Sequence, residues 1–376
     1  MRKFEIVEIE NSYLNFFTPA VIIATGYFLY NLFIYPLLIL QWLSYEDNPN
    51  FSIDFFDLWN LIIPNVSTLL AVLFVIYILI PKLNILDASI RRIRKRSFVI
   101  TFLIFSIIVT LRIFLTIFFE EVLEADIILD PPWYLRTYDQ LTVIIFMFLF
   151  LVYQLILRPL LSEFIFRRTA IPLLEDRGLS PSHAVLLTSI GYCLLLLPMF
   201  FENTNLLSNI YWTISTFLFG LGTGIVYILT RNVLLSILYA SFYHCYRLID
   251  TLGFYFQNDL VLISTIIDIL IILAFLVAII IIFWDQFNEQ ISTNWISILK
   301  KKSVPNIRNG IIGFFIFSAL FVGIQYILTE TIDRMTINPL TGQQNYPDIF
   351  FLYTLFYLII FSVPFWFTLK SEYTQY

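Results

Sequence analysis

Cysteine and histidine are nearly absent, with two of each in 376 residues. Cys193 and Cys245 both lie inside apolar runs, so no disulfide framework is expected. With both cysteines inside apolar runs and two histidines in total, no Cys/His array of zinc-finger type is read, and the expectation is no metal and no cofactor. Charge is scarce as well. Asp, Glu, Lys and Arg make up 13% of the chain, against roughly 25% in an average soluble domain. The 22 basic and 27 acidic residues leave a net charge of −5, and the basic ones fall in short clusters between apolar runs. No basic face exists for nucleic acid, and that function class drops out. What the chain has is apolar surface: 59% hydrophobic residues, 40 Phe and 22 Tyr, with a mean hydropathy of +0.85. A water-facing exterior needs a larger polar share at this size, so the solvent is lipid.

A bilayer core takes about 20 apolar residues per helix. Windows of that length give ten expected spans: Leu14–Trp42, Leu58–Ile80, Phe98–Phe119, Leu141–Leu157, Ala184–Phe201, Ile210–Thr230, Val233–Leu248, Leu260–Trp284, Ile311–Leu328 and Ile349–Thr368. The first is read as a retained span, since it is too long and too interrupted by Pro and Asn for a cleaved signal peptide. With the N-terminus cytoplasmic, the inside segments collect eighteen basic residues, including Arg91, Arg92, Arg94, Arg158, Arg167, Arg168, Arg177 and Arg231. The outside segments hold only Arg136 and Arg334, and one outer loop is acidic through Glu120, Glu121, Glu124, Asp126 and Asp130. The positive-inside rule then puts both termini in the cytoplasm, and the membrane is expected to be the cell membrane. The expected fold is an all-α polytopic bundle of about ten spans. It divides into an N-terminal three-span region (1–139), a central module (140–256) and a C-terminal three-span region (257–376).

Ionisable groups in lipid need a partner or water, which singles out Arg112 and Asp268. At 1.5 Å per residue they lie about 10 and 12 Å below the outer boundary, at depths that permit a tie between spans three and eight. A buried tie is favoured over a transported-ion site because only one acid and one base are present. Phe219-Gly220-Leu221-Gly222-Thr223-Gly224 has the look of a phosphate loop, but no strand precedes it and no Lys-Ser/Thr follows. Gly220 and Gly224 share a helical face at the spacing that lets membrane helices approach closely, so packing is the expected role. His183, after Ser180-Pro181-Ser182, is read as part of a helix start.

The stretch Arg158-Pro159-Leu160-Leu161-Ser162-Glu163-Phe164-Ile165-Phe166-Arg167-Arg168 is more specific. Glu163 and Arg167 stand at i and i+4, in the favourable order for a helical ion pair. The stretch resembles the signature of the CPBP family, membrane proteases that include the CAAX prenyl proteases and bacteriocin-processing proteins. The family carries Glu-Glu-x-x-x-Arg, matched here by Ser162-Glu163 and Arg167. Ser189 to Leu196 fits the second motif, with Tyr192 at its aromatic position and Leu196 where the family has His. Phe219 to Tyr227 looks like its glycine-rich helix. Ile237 to His244 matches the third motif, whose His is followed four residues later by Asn or Asp and here by Leu248. The resemblance covers roughly Leu141–Phe256.

It implies a site in which carboxylates, histidines and an amide or acid hold and activate a water against a peptide carbonyl. Glu163, Arg167 and His244 are retained at those positions, while Ser162, Leu196 and Leu248 replace polar groups. Leucine neither accepts a proton nor stabilises an oxyanion. Arg247 is a candidate partner for Glu163. The first reading is therefore a catalytically degenerate pseudoprotease that binds membrane lipids and membrane or lipidated proteins or peptides. The alternatives are a residual endopeptidase using Glu163 and His244, and a transporter or channel, for which no inverted repeat is visible.

Overall fold

The computed structural model describes residues 17–47, 53–82, 95–123, 140–194, 206–256, 266–277 and 308–317, together with 320, 323, 327, 351–353 and 355. The described segments are helical, and no strand occurs among them. That is what lipid requires of an open chain, because only a helix satisfies its own backbone donors and acceptors within one segment. In chain order the elements are α1 (Phe17–Asp47), α2 (Ile53–Phe74) and α3 (Lys95–Ile117). The helix α2 runs on through a π turn at Val75–Leu79, and α3 through one at Phe118–Val122. A long helix, α4, starts at Gln140–Val152 and continues through Tyr153–Leu157, Arg158–Glu163, Phe164–Ala170 and Ile171–Asp176. Then come α5 (Pro181–Leu194), α6 (Leu206–Thr230), α7 (Val233–Phe256), α8 (Ile266–Val277) and α9 (Arg308–Phe317).

Among the described residues four helices are long and apolar enough to cross a membrane: Leu61–Leu79, Ser97–Val122, Ile144–Asp176 and Leu206–Thr230. Shorter apolar helices at Leu29–Gln41, Val233–Ile249, Ile266–Val277 and Arg308–Phe317 fall within or across the expected first, seventh, eighth and ninth spans. The chain is thus an all-helical membrane protein, and the count of ten is not established by these helices. Exposed apolar side chains such as Phe98, Phe102, Phe114 and Phe118 line α3 as lipid-facing groups do.

The charge count places Arg158 to Arg177 in a cytoplasmic segment; the helix runs unbroken from Gln140 to Asp176, and Glu163 and Arg167 are buried within the protein. A charge count treats every arginine as solvated, but a buried guanidinium with acceptors on a neighbouring helix needs no water.

The chain forms two compact bodies, and the boundary falls inside α4. The first comprises Met1–Leu86, Asp139–Ile165 and Arg308–Tyr376. There Pro64 removes one N–H from the α2 ladder. Next to it, Asn65 Nδ2 donates to the carbonyls of Leu61 at 2.8 Å and Leu149 at 3.1 Å, tying α2 to α4.

The second body comprises Asp87–Tyr138 and Phe166–Ile307, with α6 packed against α3, α5 and α7. Glycine makes this possible. A Cβ on Gly220 would lie 3.2 Å from the Ser189 Cα, and one on Gly224 would lie 2.6 Å from Val185 Cγ1. Gly220 and Gly224 thus face Ser189 and Val185 one turn apart on α5, the packing their spacing implies. Gly224→Ala is expected to lower stability by about 1–3 kcal/mol through overpacking, since valine is stiff at χ1 and cannot swing away. Unfolding in detergent micelles checks this: Gly224→Ala combined with Val185→Ala should recover most of the loss.

Candidate functional site

Pro159 sits in the first turn of the segment Arg158–Glu163, within α4, which ends at the motif carboxylate. Ser162 and Glu163 are both buried, at 8% and 1% exposure, and Ser162 Oγ donates to the Pro159 carbonyl at 3.2 Å. These two residues belong to the first body. From Phe164 the helix widens into a π stretch that carries Arg167 into the second.

Arg167 is 1% exposed and reaches the glycine-rich helix. Its Nη2 donates to the Gly220 carbonyl at 2.8 Å and to the Thr223 hydroxyl oxygen. The Thr223 hydroxyl in turn leans on the carbonyls of Phe219 and Gly220, at 3.3 and 3.2 Å. The close approach of α5 and α6 at Gly220 and Gly224 and this guanidinium contact therefore share one stretch of helix. Helical spacing offers Arg167 a partner at i−4 in Glu163, and the fold brings it to acceptors 53 and 56 residues downstream.

Rings connect this contact to the third motif. Phe166 meets Tyr192 edge to face at 4.9 Å between centroids, and Tyr192 lies 5.8 Å from Phe219. Phe219 is 5.4 Å from the His244 ring and 4.8 Å from Tyr243. His244 is 7% exposed. Three helices that carry separate motifs thus converge through Tyr192, Phe219 and His244. Leu248 is half-buried one turn farther along α7, and Leu196 lies outside the described residues. Arg247, a candidate partner for Glu163, has its guanidinium 4.6 Å from the Trp212 ring centroid.

Two charged contacts complete the second body. Arg112, 1% exposed on α3, lies over the rings of Tyr243 at 5.7 Å and Tyr246 at 5.2 Å. Tyr246 donates its hydroxyl proton to Asp268 Oδ1 at 3.0 Å, so the acid and base singled out by depth share one tyrosine. The second contact was not legible in sequence. Arg231 forks onto Glu175 at 2.5 and 2.8 Å, pinning the α6–α7 turn to the end of α4. Arg231 takes a left-handed φ of 50°, with its N–H on the Tyr227 carbonyl at 2.6 Å, and Asn232 Oδ1 accepts from the Leu234 N–H at 3.0 Å. Burial pulls the Arg231 pKa down, but the hydrogen bond and charge of Glu175 outweigh it and raise the pKa overall. The expected spans, ending at Thr230 and restarting at Val233, placed a turn here without revealing its ion pair. His183 is exposed at the start of α5, with Nδ1 2.6 Å from Ser180 Oγ, as a helix-start residue should be.

In chemical terms the first body holds a buried carboxylate, Glu163, and the second holds a buried imidazole and a guanidinium already engaged with a carbonyl and a hydroxyl. To act as an oxyanion donor, Arg167 Nη2 would have to give up those acceptors. Among the described residues no three His, Cys, Asp or Glu side chains come together as metal ligands.

Residues 143–245 match the family described as type II CAAX prenyl endopeptidase Rce1-like. The matched segment begins in α4 and ends one residue past His244, covering the motif positions read from the sequence up to that histidine. No curated protein and no solved structure gives a significant match to the chain.

Proposed function

We propose that this integral membrane protein is a CAAX-protease-like pseudoprotease, which uses its central module to bind membrane or lipidated proteins or peptides without cleaving them. The observation that carries this reading is Arg167: a side chain at a family position is engaged by Gly220 and Thr223 within the helix packing. The degenerate positions support it. Ser162, Leu196 and Leu248 stand where a second carboxylate, an imidazole and an amide or acid would complete the water-activating set. The same reading keeps both termini in the cytoplasm of a cell-membrane protein, from the distribution of basic residues. The aromatic run Phe166, Tyr192, Phe219 packs beside His244 and gives the imidazole apolar surroundings.

The test is binding separated from turnover. Protein in lipid nanodiscs is titrated with a fluorescent farnesylated peptide and with the same peptide lacking the lipid. Saturable binding of the lipidated form, with the recovered peptide intact by mass spectrometry, is the expected outcome. Equal binding to empty nanodiscs would remove the partner-binding half of the reading, and cleaved peptide would remove the other half.

A further inference from the structure

We propose that Arg112 is a positioning residue for the His244 site, acting through the ring of Tyr243, with Asp268 as its counter-charge through Tyr246. Arg112 lies outside the segment that matches the family, on α3. Its guanidinium is nevertheless seated 5.7 Å from the centroid of Tyr243, the residue that immediately precedes His244. Tyr243 is held from more than one side. Its hydroxyl contacts Ser215 Oγ at 3.1 Å, Arg112 lies over its ring, and Phe219 meets it at 4.8 Å. Phe219 and Tyr243 also both lie against His244, at 5.4 and 6.3 Å. The orientation of the imidazole is thereby coupled to the residue that fixes Tyr243.

The energetics favour a directed role. A buried guanidinium over an aromatic face gains more than an exposed one because the attraction is not screened by water. Its charge is balanced within the same cluster by Asp268, to which Tyr246 donates while its ring lies 5.2 Å from Arg112. Arginine suits this geometry because its planar cation can stack over two rings, which a lysine ammonium does less well. A tie serving only to hold α3 against α8 does not require Tyr243, yet Arg112 lies over that ring as well as over Tyr246.

This inference rests on His244 belonging to the ligand site of the proposed module, and its test reads the histidine directly. The chain has only two histidines, so histidine-selective ¹⁵N/¹³C labelling of untagged protein in nanodiscs gives two imidazole signal sets. His183, exposed at the start of α5, is the internal reference. Arg112→Gln is expected to displace the His244 signals and leave those of His183 in place. Arg112→Lys keeps a cation on the stem and should return the His244 signals part of the way toward wild type. If Arg112→Gln does not fold, Arg112→Lys is read alone, and a displacement confined to His244 is the expected result. Unchanged His244 signals in folded Arg112→Gln, or in Arg112→Lys where that variant is read alone, would overturn the inference. Signals moving equally at both histidines would also overturn it, by showing a general loosening. Farnesylated-peptide binding by the wild-type protein is measured in parallel: its failure counts against the function proposed above, whereas the histidine signals alone decide the role of Arg112.

Discussion

Arg167→Met lowers the stability of the folded protein in detergent micelles by about 2 kcal/mol, read as a shift of the unfolding midpoint in a denaturant titration. Hydrogen bonds to a charged group contribute roughly 1.5–3 kcal/mol each in soluble proteins. Bonds between membrane helices measure lower because the unfolded state in lipid also finds partners. Arg167 makes two such bonds, to Gly220 and Thr223, so the sum after that reduction is about 2 kcal/mol. Thr223→Val should cost about half as much, since the Gly220 carbonyl keeps its donor. Arg167→Lys should fall between, because an ammonium has no fork with which to reach both acceptors as the guanidinium does. If Arg167 served turnover alone, all three variants would unfold at the wild-type midpoint.

The largest change expected in rate is a gain. Ser162→Glu, Leu196→His and Leu248→Asn together restore the groups that the CPBP resemblance calls for, beside the Glu163 and His244 already present. Removing one oxyanion-stabilising donor typically costs about 10²–10³ in rate. Restoring the set should therefore raise cleavage of a farnesylated peptide at least about 10²-fold over the parent chain, measured by product mass in proteoliposomes. Ser162 is 8% exposed, so the new carboxylate enters a buried turn. A folded triple variant with no gain would show that other groups, and not these three positions, decide the loss of turnover.

Much of this was legible in the sequence because lipid narrows what a chain can do. Apolar runs of sufficient length had to be helices, and the glycines at 220 and 224 gave a packing face that Ser189 and Val185 fill. Ser180 and His183 marked the start of α5, and the motif order led to the segment that the family match covers. The failures share one physical origin. Charge patterning speaks only of solvation, so it did not show that the helix carries Glu163 and Arg167 into buried surroundings. Partners far apart in sequence were equally hidden. Nothing local pairs Arg231 with Glu175, Arg167 with Thr223 or Arg112 with Tyr243; only the packing of α3, α4, α6 and α7 does.

The most direct measurement is cleavage itself, with Glu163 as the control. Purified wild-type protein and Glu163→Gln are incubated in proteoliposomes with farnesylated and unmodified hydrophobic peptides, and products are followed by mass spectrometry. Glu163 stands where the CPBP resemblance places a carboxylate, and a water attacking an amide needs such a base together with donors for the oxyanion. No product above the protein-free background from either protein is the expected result, with the cellular role of the chain carried equally by both. Robust cleavage by the wild-type protein that Glu163→Gln abolishes would contradict the pseudoprotease reading and restore the chain as an endopeptidase.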